Sequence, residues 1–141
     1  MLSVAEAREQ ILSKLLPTAV ETVGLSQALG RVLAEDVISR VRQPPVDMSA
    51  MDGYAVRAED LCNPPVNLKL VGEAPAGGAY LGRVGPGEAV RIFTGAPLPT
   101  GANAIVIQED VAANGTRIEI NTNVSAGNFI RPAGLDFNEG D

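Results

Sequence analysis

Histidine is absent from all 141 residues of this chain. That absence excludes Ser-His-Asp and Cys-His nucleophilic catalysis, histidine-built zinc sites and imidazole acid–base work together. A single cysteine, Cys62, leaves no partner for an internal disulfide or a thiolate zinc site. It reads as a surface or half-buried thiol rather than a nucleophile. Tryptophan is missing too, with only two Tyr and three Phe, so Val, Ile, Leu and Ala must fill the interior. No segment concentrates Lys or Arg and the net charge is −6, which argues against nucleic acid, whose phosphates demand clustered cations. Apolar runs last only a few residues, far short of a membrane span. Met1–Leu12 carries acidic side chains and no signal-like apolar stretch, so a soluble cytoplasmic protein is expected.

What remains is chemistry by carboxylates, hydroxyls, Lys, Arg and backbone amides. Such a set suits a hard cation like magnesium, which prefers oxygen ligands. The 15 Gly and 10 Pro turn the chain often and favour short strands. The expected fold is α+β, mainly β: an N-terminal amphipathic helix with short strands, plus a small antiparallel β-barrel-like lobe. Residues 1–43 are expected to form the first lobe, rejoined by 131–141, with 44–130 as the β-rich lobe.

Ser3-Val-Ala-Glu6 is a capping box, and Val4, Ala7, Ile11 and Leu15 then recur at helical spacing, widened by Leu12 and Leu16. Pro17 stops the pattern, which predicts a helix over Ser3–Leu16. A strand over Thr18–Leu25, a helical turn over Ser26–Leu29 closed by Gly30, and a strand over Val32–Ile38 follow. Gln43-Pro-Pro45 divides the lobes. Beyond it, strands are expected at Gly53–Val56, Asn67–Val71, Ala89–Phe93, Ala104–Gln108, Arg117–Ile120 and Asn128–Ile130. Arg57–Leu61 reads as a helical turn, Asn114-Gly115 as a hairpin turn, and Ala74–Gly78 and Gly85–Gly87 as loops.

Four polar clusters stand out, and each has a plain reading beside a chemical one. Asp47-Met-Ser-Ala-Met-Asp52-Gly-Tyr54 is an Asp-Gly turn into a strand with Ser49 capping amides, or a pair of carboxylates for a cation. Thr94-Gly-Ala-Pro-Leu-Pro-Thr-Gly101 is a Pro-rich connection, or a hydroxyl and amides that hold an oxyanion. Gln108-Glu109-Asp110 is a solvated strand end, or a cation ligand. Arg131-Pro-Ala-Gly-Leu-Asp136 is a surface turn with a local ion pair, or an anion grip beside a metal-binding carboxylate. An anionic substrate would need Arg57, Arg91, Arg131 or magnesium to offset the acidic balance.

Taken in order, these clusters resemble the molybdopterin molybdenumtransferase family, which includes the catalytic region of gephyrin. The resemblance rests on GRVLAED at Gly30–Asp36, PPVDMSAMDGYAV at Pro44–Val56, RIFTGAPLPTGANAIVIQED at Arg91–Asp110 and IRPAGLDFNEGD at Ile130–Asp141. Met48 stands where a polar residue is more usual in the family, and Pro132-Ala133 replaces part of a basic run. The resemblance implies insertion of molybdate into adenylated molybdopterin, with magnesium and release of AMP. It further implies a homodimer with a site composed between subunits, and the molybdopterin adenylyltransferase as a possible partner. Asp52, Thr94 and Asp136 match family positions at that site. Asp52 and Asp136 would serve magnesium or the attacking water, and Thr94 a phosphate or molybdate oxygen. Ser49 and Arg131 would support the substrate. Tungstate, alike in size and charge, is an equal candidate for the oxyanion. Family members are much longer, so the chain is expected to be a truncated portion that does not catalyse the reaction alone. The alternative is a docking or dimerisation module without chemistry.

Overall fold

Ser3 lies extended ahead of the first helix, and its hydroxyl accepts from the Glu6 amide at 3.2 Å. The Glu6 carboxylate in turn accepts from the Ser3 amide at 2.7 Å. This reciprocal box starts helix α1 (Val4–Leu12) of the computed structural model, which describes residues 2–141. The helix is shorter than Ser3–Leu16. Past Leu12 the amides of Lys14 and Leu15 make only tight i→i−3 bonds, and no residue of α1 is buried. Without a packed face, little opposes fraying in the turn before Pro17.

The strands expected at Thr18–Leu25 and Val32–Ile38 do not form. A strand needs a hydrogen-bonded neighbour, and among the described residues no amide of 18–24 or 32–38 donates to a backbone carbonyl. A helical turn is present at Leu25–Gln27, with Gly30 at φ +79° beyond it. Residues up to Val37 form one compact unit and Ile38–Asp141 a second, a division ahead of the Gln43-Pro-Pro45 breaker. Among the described residues, every buried one lies in the second unit, between Pro44 and Ile120.

That unit is built on eight strands: β1 (Met48–Ser49), β2 (Gly53–Val56), β3 (Val66–Ala74), β4 (Glu88–Ile92), β5 (Ala104–Ile107), β6 (Val111–Asn114), β7 (Arg117–Ile120) and β8 (Ile130–Arg131). Six form a sheet in the order β5-β2-β4-β3-β7-β6, while β1 pairs with β8. The mainly β, α+β class is as expected. The pairing is antiparallel throughout, except that β3 and β4 run parallel. A parallel neighbour cannot be reached by a tight hairpin, so residues 75–87 carry the chain back.

The central strands are covered on both faces. Tyr54, Val56, Ala104, Val106, Ile118 and Ile120 pack in one cluster, and Ala55, Val90, Ile92 and Ile105 in another. This explains why β2 and β5 read as continuous apolar runs without alternation. Gly53 is required where β2 meets β5, because a Cβ there would fall 2.1 Å from the Val106 carbonyl oxygen. The β6–β7 hairpin forms as expected, one residue later than Asn114-Gly115. Asn114 pairs with Arg117, and Gly115 at φ +61° takes the first loop position, the geometry of a type II′ turn.

Candidate functional site

Backbone holds the stretch Asp47–Gly53 from two sides. On one, the Ser49 amide donates to the Ala96 carbonyl, the Gly95 amide to the Ser49 carbonyl and the Leu98 amide to the Asp47 carbonyl, each at 2.9 Å. On the other, β8 pairs with β1, and the Ala133 amide donates to the Asp47 carboxylate at 2.8 Å. Segments distant in sequence thereby adjoin the Ser49–Gly53 turn. Ser49 is 1% exposed. Its hydroxyl donates to the Met51 carbonyl at 2.5 Å and accepts from the Met51 amide at 3.3 Å, so it shapes the turn that delivers Asp52.

Phe93–Ala96 is a type II turn: the Ala96 amide donates to the Phe93 carbonyl at 2.9 Å and Gly95 has φ +80°. The turn puts Thr94 at its corner. From there the Thr94 amide and hydroxyl both donate to Asp52 Oδ1, at 2.8 and 2.7 Å. Among the described residues, no hydrogen bond reaches the other carboxylate oxygen. The Thr94 hydroxyl, and next its amide, hold the Asp52 carboxyl below the usual range. Desolvation opposes them, and Arg91 adds a lesser pull. An ionised carboxylate with one oxygen open can ligate a cation or orient water. It is not set up to donate a proton.

The third cluster joins this pair. The Gln108 amide donates to the Asp52 carbonyl at 3.2 Å, and its side-chain oxygen accepts from Arg91 at 2.6 Å. Glu109 and Asp110 are exposed. In the fourth cluster, Arg131 donates to both oxygens of Asp136, at 2.7 and 2.8 Å. Among the described residues neither is bonded to Asp52 or Thr94, and no group of three or more Cys, Asp or Glu side chains is arranged to hold a metal ion.

Two residues gain roles that sequence reasoning missed. Arg91, counted there only as a source of positive charge, touches both the Asp52 turn and Gln108. Asn103 accepts from the Ala58 amide and donates to Glu59, both at 2.8 Å, bracing the turn after β2. No sequence signal marks Asn103, because its partners lie on another segment. Cys62 is an exposed free thiol whose sulfur donates to the Glu59 carbonyl at 3.1 Å. No helix among the described residues is long and apolar enough to cross a membrane.

Over residues 2–141 the chain matches the family described as MoeA N-terminal region (domain I and II). The chain belongs to this family. It is 40% identical to the molybdopterin molybdenumtransferase of Haemophilus influenzae over 144 aligned positions, covering all of this chain and 35% of that protein. The Nostoc sp. enzyme of the same name is 45% identical over 115 positions, covering 79% of this chain and 26% of the relative. The crystal structure of the molybdopterin biosynthesis moeA protein from Pyrococcus horikoshii superposes with a TM-score of 0.82 at 40% identity, over 86% of this chain and 33% of that one. The chain thus spans about a third of the length of these relatives.

Proposed function

We propose that this chain supplies one part of the site at which a molybdopterin molybdenumtransferase inserts molybdate into adenylated molybdopterin, releasing AMP. The observation that carries the reading is the double donation of Thr94 to one oxygen of Asp52. It joins the two motifs that most resemble the family into one polar centre. The Thr94 hydroxyl is the donor for a phosphate or molybdate oxygen once it turns from Asp52. Asp52 stays ionised and offers its second oxygen to water or a cation.

Magnesium fits this centre through Asp52, since that ion commonly takes one or two carboxylates and completes its shell with water and substrate phosphates. When bound, it would neutralise charge on an adenylate. Asp136 is proposed as the second carboxylate, freed when Arg131 turns to a substrate oxyanion. Ser49 supports the substrate indirectly, by shaping the turn. The complete site requires residues beyond those in this chain, so the chain alone is expected to be inactive.

A homodimer is part of the same reading. It is supported by the first unit, where Val4, Ile11, Leu15, Leu29, Val32 and Leu33 stand exposed. That much apolar surface calls for a covering partner.

The test is made in a full-length family member carrying these residues. Asp52→Asn and Thr94→Ala should each abolish cofactor formation while leaving the fold intact, and Thr94→Ser should retain most of it. Full activity in Asp52→Asn would remove the reading.

A further inference from the structure

We infer that Arg91 is a positioning residue for Asp52: clamped between Tyr54 and Phe93, its guanidinium ties the Asp52-Gly53 turn to Gln108 and so aims the carboxylate at Thr94. The inference rests on the reading of Asp52 and Thr94 as the functional pair.

The register of the sheet creates the clamp. Arg91 in β4 sits directly opposite Tyr54 in β2, and Phe93, two residues on, shares its face. The guanidinium carbon lies 5.1 Å from the Tyr54 ring centre and 4.8 Å from that of Phe93. Two aromatic faces attract the cation without neutralising it. From that position one nitrogen donates to the Gly53 carbonyl at 3.2 Å and another to Gln108 Oε1 at 2.6 Å.

Gln108 closes the circuit, because its amide donates to the Asp52 carbonyl at 3.2 Å. The carbonyls of Asp52 and Gly53 are thus both anchored, one by Gln108 and one by Arg91. Glu109 stands beside Arg91's partner, yet its carboxylate takes the Gln108 side-chain amide at 3.3 Å. Among the described residues Arg91 makes no ion pair with any carboxylate. Its fork is spent on holding backbone and amide. Lysine carries the same charge but has no rigid fork to span both acceptors. The pull of Arg91 on the Asp52 carboxylate agrees with this placement.

The experiment uses the isotope-labelled 141-residue chain and reads the Thr94 amide by NMR, both its proton shift and its hydrogen-exchange protection. Arg91→Met and Gln108→Leu should each lose the low-field shift and protection at Thr94, with the core amides of Val90 and Ile118 unmoved. Arg91→Lys should not restore them. An unmoved Thr94 amide in a folded Arg91→Met chain overturns the inference. So does full restoration by Arg91→Lys, since charge alone would then suffice. Should Arg91→Met lose the core dispersion, Gln108→Leu decides, with loss at Thr94 supporting the inference and an unmoved signal overturning it. The readout needs no catalysis. An active full-length Asp52→Asn protein would therefore remove the functional reading while leaving this result standing.

Discussion

A single backbone turn decides where Thr94 points. Gly95 occupies the second corner of the Phe93–Ala96 turn with φ +80°, a conformation costly for any side chain. Gly95→Ala should therefore lower stability by about 1 kcal/mol or more in urea unfolding. It should also weaken the Thr94–Asp52 contact, seen as loss of exchange protection at the Thr94 amide. Acid should act on the same pair. Asp52, Glu59 and Glu6 are each held below the usual carboxylate range: Asp52 first by the Thr94 hydroxyl, Glu59 by its own amide ahead of Asn103, and Glu6 by the Ser3 amide. Their folded values lie under their unfolded ones, so the stability they contribute is fully present above about pH 4 to 4.5. It is lost as pH falls through the lower folded values. Asp52→Asn should flatten the acid limb of a stability-against-pH curve, and an unchanged limb would contradict the assignment. Asp52 and Thr94 were legible as turn residues, because each precedes a glycine in a turn-forming sequence. That they meet was not legible, since 42 positions separate them and only strand register brings them together.

At the scale of elements, burial on two faces governs what can change. Ile118 in β7 is wholly buried among Leu68, Ile120 and their neighbours. Ile118→Ala should cost about 2–5 kcal/mol, the range for deleting a buried aliphatic side chain, as a shift in urea midpoint at constant slope. A loss well under 1 kcal/mol would mean that the site collapses freely. Strands such as β2 and β7 were readable to the residue, because a dense β-branched or apolar run is bounded by turn residues. The parallel pairing of β3 with β4 was not readable, because nothing local records which edge a returning loop selects. The failed strands at 18–25 and 32–38 carry the same lesson from the other side. Local composition there suits extended chain, and a ladder needs a neighbour that local composition cannot supply.

At the scale of the molecule, the decisive asymmetry is that, among the described residues, buried side chains occur only between Pro44 and Ile120. The second unit also gathers its own ends: Ser39 donates to the Asp141 carbonyl at 2.8 Å, Gln43 to the Phe137 carbonyl at 2.9 Å and Gly134 to the Pro44 carbonyl at 2.9 Å. Hydrophobic burial is the main favourable term in folding, so cooperativity should reside in this unit. Residues 38–141 expressed alone should unfold in one transition, with the midpoint of the 141-residue chain. The preceding residues, most of whose described large apolar side chains are exposed, should contribute no second transition to that chain at low concentration. If the homodimer proposal holds, a transition of their own should emerge as concentration rises and a partner covers those side chains, because assembly stabilises by mass action. Calorimetry across a dilution series, with light scattering on the same samples, separates the outcomes. A midpoint that fell on removing residues 1–37 in dilute solution would place part of the folding energy in the first unit and refute the division.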